Sequence, residues 1–270
     1  MKNLRAKTPA IIGLTVCLLM ACADHGIAPL TGKINVTVYF RGTPPANTQG
    51  IYLIVAPKFP PHAINEMFHS PNSLPITEDT VRTEIVLPYG HYESISLWWY
   101  STETKSNLAD VLAIPLDANN NLLPLGFDLS PEKPEAAVEL YASWDRVHRD
   151  ASLEGTVYFN GPFPKNTLAT AVAVYRYKPE EKVHYLVFLK TIDFSINTNP
   201  YHFKLPVRQG TIEYIAVYWL AEHTSLADFR EIGVYKDPKN PNLPGKLAPK
   251  SGQAVKGVDI YADWSLAGIE

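Results

Sequence analysis

The sequence TVYFRGTPPANT at residues 37–48 returns as TVYFNGPFPKNT at residues 156–167, one small-domain length further along the chain. Each copy starts with β-favouring residues and runs into Gly and Pro, which is how a strand ending in a turn is written. A repeat at this spacing marks a tandem duplication, so every later feature is read in pairs. Around the motif, Ile34, Val36, Val38 and Phe40 alternate with polar neighbours, and Leu153, Gly155, Val157 and Phe159 hold the matching places. Alternation at period two is the signature of a half-buried strand.

Downstream, Leu53 and Val55, or Val172 and Val174, carry the second strand of each copy. The copies then diverge. Residues 57–80 read as a proline-rich loop with one helical turn around residues 65–69, whereas residues 183–190 read as a strand. They converge again at residues 83–88 and 201–206. Next come strands that put Ile95, Leu97 and Trp99, or Ile215, Val217 and Trp219, on one face, which is assigned to a core. Leu108-Ala109-Asp110 recurs as Leu226-Ala227-Asp228, and each copy closes on a strand ending in tryptophan, Trp144 or Trp264. The expectation is an all-β chain of two tandem antiparallel β-sandwich domains, residues 33–149 and 150–270, each near the usual domain size. The link at residues 145–151 is too short to be a free spacer, which restricts their mutual orientation.

The first residues obey different rules. Lys2, Arg5 and Lys7 precede an apolar run at residues 11–20 that is short for a membrane span, as in a cleaved secretory signal. Leu19-Met20-Ala21-Cys22 resembles the bacterial lipobox, which implies a signal peptide at residues 1–21, lipidation of Cys22, and a lipidated tether at residues 22–32. From Ala23 to Gly32 the tether spans at most about 33 Å. By analogy with the enterobacterial sorting rule, Ala23 after the cysteine implies the outer membrane of a bacterial cell envelope. The only other cysteine, Cys17, lies in the removed segment, so no disulfide is expected and each domain relies on its core. Without Lys2, Arg5 and Lys7 the 24 basic residues fall to 21 against 27 acidic, moving the net charge from −3 to −6. That balance disfavours nucleic acid as a partner.

The order of strand, Gly-Pro turn, long excursion, Pro-Gly turn into a Tyr-rich strand, and final apolar strand resembles the transthyretin-like or carboxypeptidase regulatory-like sandwich domain, in both copies. The resemblance implies accessory, adhesive or carbohydrate-associated roles and carries over no catalytic residues.

Chemistry-bearing motifs are sparse. The histidines are scattered without metal-ligand spacing on a helix, and the nucleophile-elbow, phosphate-loop and dinucleotide patterns are absent, so no cofactor is expected. Glu93 and Glu213, Asp110 and Asp228, and Asp117 and Asp237 recur in pairs. Duplication points to loop-ordering hydrogen bonds, because a single active site needs its carboxylates once. Asp117, Asn119, Asn121 and Asp128 imitate a calcium loop, although Leu122 stands where the sharp turn wants glycine; an Asx-capped loop is the other reading. Trp98 and Tyr100, with Tyr218 in the second copy, face away from the assigned core. Such aromatics either stack a sugar ring or are covered, by the second sheet or by the other domain, and the dominance of large aromatics in cores and interfaces weighs toward covering. Phe59, Met67 and Phe68 on the divergent loop are candidate partner contacts.

The sequence therefore points to a lipid-anchored, non-enzymatic envelope protein, held to the membrane by its lipid and acting as a structural or interaction module toward an envelope protein or glycan. The alternatives are a glycan-binding surface lipoprotein and a hydrolase with an unrecognised carboxylate site.

Overall fold

The computed structural model describes residues 30–61, 64–102, 107–224 and 228–268. The signal segment, Cys22 and most of the tether lie outside these, as do Leu226 and Ala227 of the second Leu-Ala-Asp.

Strands are the dominant element of the described residues, with almost no helix. The first set is β1 (Thr31–Arg41), β2 (Thr48–Ala56), β3 (Phe68–His69), β4 (Thr80–Pro88), β5 (Gly90–Tyr92), β6 (Ser94–Ser101), β7 (Val111–Ala113), β8 (Phe127–Leu129) and β9 (Glu135–Ser143). They form one sheet in the order β4-β1-β9 and a facing sheet in the order β3-β2-β6-β7, with β5 and β8 paired beside them. The second set is β10 (Ala151–Phe159), β11 (Thr167–Tyr175), β12 (Leu189–Asp193), β13 (Tyr201–Val207), β14 (Tyr214–Ala221), β15 (Arg230–Val234), β16 (Lys236–Asp237), β17 (Asn240–Pro244), β18 (Ala254–Lys256) and β19 (Ile260–Ala262). Its sheets run β13-β10-β18, with β19 also on β10, and β12-β11-β14-β15. The two main sheets of each sandwich share one strand order, whereas the β5–β8 ladder is matched in the second set only by the bridge between Ile212 and Leu247, and the β16–β17 ladder in the first only by the bridge between Leu116 and Pro124. The fold is thus all-β, with two sandwiches in tandem. The ladders are antiparallel except at the closing strand, since β9 lies parallel to β1, and β18 and β19 parallel to β10.

Each sandwich has a core drawn from the period-two residues. Ile34, Val36 and Val38 of β1 meet Leu53, Leu97, Leu140 and Trp144 in one cluster; Leu153, Val157, Val172, Val217, Ile260 and Trp264 meet in the other. Trp144 stacks on Phe40 at 5.3 Å between ring centroids, and Trp264 on Phe159 at 4.8 Å.

The repeated motif has a physical basis. The Thr48 hydroxyl donates to the Pro45 carbonyl at 2.7 Å and accepts from the Trp99 indole at 2.9 Å. Thr167 repeats both contacts, to Pro164 at 2.7 Å and from Trp219 at 2.9 Å. One hydroxyl satisfies a turn carbonyl and a buried indole N–H together, which neither group could lose cheaply in a core.

Two segments depart from expectation. Residues 183–190 are not one strand, for His184–Val187 is a single helical turn and β12 starts only at Leu189. The His184 ring nitrogen Nδ1 accepts from the N–H groups of Glu180 and Glu181, and Val183 is buried beneath, so the turn is pinned at its start. In the first copy the short 3-10 helix is at Ile64–Glu66, and Phe68–His69 belongs to β3.

The closing strand of the second sandwich is also broken, at Gly257, where φ is +77°, a conformation that glycine tolerates and other residues rarely adopt. The cause lies across the sheet, where Gly155 stands in the position of Val36 and leaves room for the Val258 backbone to move in. The Thr156 N–H consequently bonds the Asp259 side chain at 3.0 Å in place of a ladder carbonyl.

The two sandwiches are clasped together. Arg146 donates through Nε to the Val111 carbonyl at 2.9 Å and through Nη2 to the Val187 carbonyl at 3.2 Å, so one guanidinium bridges both. The Asn107 side-chain amide reaches the Ile192 carbonyl at 2.7 Å. Arg149 pairs with Asp110 at 3.1 Å, with their side chains only 14% and 5% exposed.

Candidate functional site

The outer face of the sheet β12-β11-β14-β15 is covered. Tyr175, Tyr214, Tyr218, Ala173 and Ala216 gather there with Ala109 of the first sandwich, flanked by Phe188 and Phe229. Tyr218 is buried against this interface and meets the rings of Tyr175, Tyr185 and Phe229 edge-on. Burial first, then its phenol and carboxylate neighbours, pushes the Tyr218 hydroxyl far above the ordinary phenol range. Tyr218 thus offers no open surface to a ligand, and its hydroxyl lies buried beside those of Tyr175 and Tyr185.

The matching face of the first sandwich, on β2 and β6, is more open. Trp98 and Tyr100 are half-buried there, with Tyr100 edge-on to Tyr52 at 5.3 Å and the Trp98 indole donating to Ser96 Oγ at 2.8 Å. The divergent loop does not join them. Phe68 packs against the first core and meets Tyr92 edge-on, and the Phe59 N–H donates to Glu93 Oε2 at 2.7 Å; Met67 is half-buried.

A second aromatic feature escaped the sequence reading. Tyr39 stacks on Tyr141 at 5.1 Å across the β1 and β9 pair, and Tyr158 stacks on Tyr261 at 5.2 Å in the second sandwich. Tyr141 is 73% and Tyr261 76% exposed. The signal was present, because Tyr39 and Tyr158 hold the polar phase of the repeated TVYF motif and so point away from the core.

The recurring carboxylates serve local structure. Asp117 Oδ1 accepts from the N–H groups of Asn119 at 2.6 Å and Asn120 at 3.2 Å, and Asp237 Oδ1 from the N–H of Lys239 at 2.8 Å, an Asx turn in each copy. Asp128 lies on β8 and faces His91 Nδ1 at 2.8 Å, while Asn121 is exposed. Among the described residues no three His, Cys, Asp or Glu side chains are grouped to hold a metal ion. Glu213 pairs with Lys246. Asp110 closes a capping box with Asn107, and its burial pushes the carboxyl up to about 6 against the opposing pull of Arg149 and the Asn107 N–H.

No family model matches the chain, and no curated protein matches it. Solved structures do. They include a leucine-rich repeat protein from Bacteroides thetaiotaomicron (11% identity, TM-score 0.34, 87% of this chain and 26% of that one). The Streptococcal ancillary pilin follows at 12% identity and TM-score 0.25, over 87% of this chain and 63% of that one. The minor pilin of Streptococcus agalactiae is similar at 10% identity and TM-score 0.27, over 85% and 95%. The chain therefore spans only about a quarter of the first of these proteins and under two thirds of the second.

Among the described residues no helix is long and apolar enough to cross a membrane. What the surface presents is aromatic faces on rigid sheets, an arrangement suited to contact. Glu93, Glu213, Asp110, Asp117 and Asp237 are each tied into a separate local contact.

Proposed function

We propose that the chain is a lipid-anchored protein of the bacterial cell envelope, placed at the outer membrane, that acts as a non-enzymatic structural or interaction module. The observation that carries this reading is the clasp between the sandwiches. A linker whose arginines bond both units, with Ala109 and Tyr218 buried between them, makes a stiff body that holds its surfaces at a set distance from a tether. The anchoring half of the reading rests on Cys22 at the end of the apolar run. Cys22→Ala is expected to move the protein from the membrane fraction to the soluble fraction, or to leave its signal uncleaved. A fully processed variant still sedimenting with membranes would overturn it.

A second reading, glycan binding, is favoured by the stacked tyrosine pairs that recur on both sandwiches. Flat exposed rings on a rigid sheet suit the apolar face of a sugar, and an aromatic contact contributes on the order of 1 kcal/mol. Tyr141→Ala and Tyr261→Ala should each weaken glycan retention on an array by about fivefold to tenfold, with unchanged melting because both rings are largely exposed. Retention that is indifferent to both substitutions would exclude these pairs as the contact.

A further inference from the structure

Four cations line a cavity of about 180 Å³ beside the linker: Arg146, Arg176, Lys190 and Arg208. Tyr177, Val187, Phe188 and Leu189 complete its wall, and no carboxylate does. The last three cations also border a wider cleft of about 560 Å³, where Asp145, His148 and Asp150 take part. Arg149 stands nearby, but its charge is already met by Asp110.

The four are held by neutral groups. Lys190, 5% exposed, donates to the carbonyls of Gln209, Gly210 and Thr211 at 3.1, 3.2 and 3.1 Å. Arg146 donates to two carbonyls, Arg208 to the Asp145 carbonyl at 3.1 Å, and Arg176 lies 4.9 Å from the Tyr177 ring centroid. Among the described residues none of the four forms an ion pair with a carboxylate. These contacts fix the charges in place; Asp145 and Asp150, at the border of the wider cleft, offset part of the charge of Arg208, and Asp150 part of that of Lys190. The three donors of Lys190 are all engaged, whereas a guanidinium has more donors than the bonds here use.

The cations also feel one another. Burial first, then Arg208 and Arg149, brings Arg146 down to about 10; burial, then Arg208 and Arg176, brings Lys190 down to about 8. Gathering like charges in a half-enclosed space is costly. In a chain of net charge −3, this concentration of positive charge is a local exception that an anion would relieve.

We propose that the cavity walled by Arg146, Arg176, Lys190 and Arg208 is an oxyanion site that takes a phosphate group. Cations converging from the linker, from β12 and from the residues that follow β11 and β13 suit a tetrahedral, multiply charged group better than a flat carboxylate, which one guanidinium grips in its own plane. The wider cleft leaves room for whatever carries the phosphate, which is supplied free, on a phosphorylated sugar, or on a lipid headgroup. The site is independent of the anchoring and of the tyrosine pairs.

The test uses the full chain. Thermal unfolding is followed in chloride and in inorganic phosphate at matched ionic strength, with glucose 6-phosphate and phosphatidic acid vesicles as parallel arms. Phosphate should raise the melting temperature saturably, and the arm with the lowest half-saturating concentration identifies the source. Arg176→Gln, at an exposed position that bears on neither core, should raise that concentration about tenfold while leaving melting in chloride unchanged. Arg208→Gln, the second variant, should raise that concentration likewise, and because its guanidinium also bonds the Asp145 carbonyl its melting in phosphate is compared with its own melting in chloride. No saturable shift in any arm would overturn the proposal, as would a response that both variants leave within twofold of the original.

Discussion

Replacing Gly155 with alanine is expected to lower stability by at least about 3 kcal/mol, with the loss confined to the second sandwich. A Cβ at this position would sit 2.0 Å from the Val258 carbonyl oxygen, 2.5 Å from its carbon and 2.9 Å from Phe203 Cζ. Two of these are backbone atoms and cannot swing aside. The closing strand would have to withdraw, which breaks the bond from the Val258 N–H to the Glu154 carbonyl and the bond from Thr156 to Asp259. Each bond contributes about 1 kcal/mol, and overfilling a packed site adds about 1–3 kcal/mol. Hydrogen exchange reads the result directly, since amides of β10 and β13 should lose protection while those of β1 and β4 keep theirs. Gly90→Ala is the matched control, because no atom lies within 4 Å of its added carbon. Equal stability of Gly155→Ala and the control would show that the broken strand is not held by this close approach.

Removing the Trp144 indole should cost about 3–5 kcal/mol, the usual range for emptying a large aromatic site. Its side chain is 1% exposed and stacks on Phe40 with an interplanar angle of 15°. The position also begins the linker, two residues before the Arg146 clasp, so a collapse around the empty site would shift the guanidinium that bonds both sandwiches. Trp144→Ala is therefore expected to lower the denaturant midpoint of the first sandwich and to admit protease at residues 145–151. Unfolding at the original midpoint, with the linker still resistant, would mean that neighbouring side chains refill the site.

How much of this was legible follows from where each signal sat along the chain. The paired strands could be read because period-two alternation is local, and the repeated Asn-Thr stood out because one hydroxyl serves both a proline carbonyl and a tryptophan. The helical turn at His184–Val187 could not, since Val183, Tyr185 and Val187 alternate as a strand would, and only the His184 ring folding back on two N–H groups reveals the turn. The broken closing strand had a visible cue in Gly155 standing opposite Val36, but its effect appears only when the partner strand is placed alongside. Tyr218 carried two readings that spacing could not separate, and Ala109 beneath it decides for burial. The cationic cavity had no local pattern at all, because its residues run from Arg146 to Arg208 and converge only through the fold.

The parallel pairing of the first and closing strands bears on how the protein meets mechanical force. β1 is zipped along nine paired positions to β4 on one side and along nine to β9 on the other. The first sandwich is entered at the start of β1 and left at the end of β9, and because these strands run the same way, tension between those points slides one past the other. Rows of hydrogen bonds loaded in that direction must fail together, whereas bonds pulled from one end peel singly. Resistance to such a pull is set by the unfolding rate and not by equilibrium stability. A molecule held at its N-terminus and tugged through its second sandwich would thus meet the load with its most extensively bonded strand.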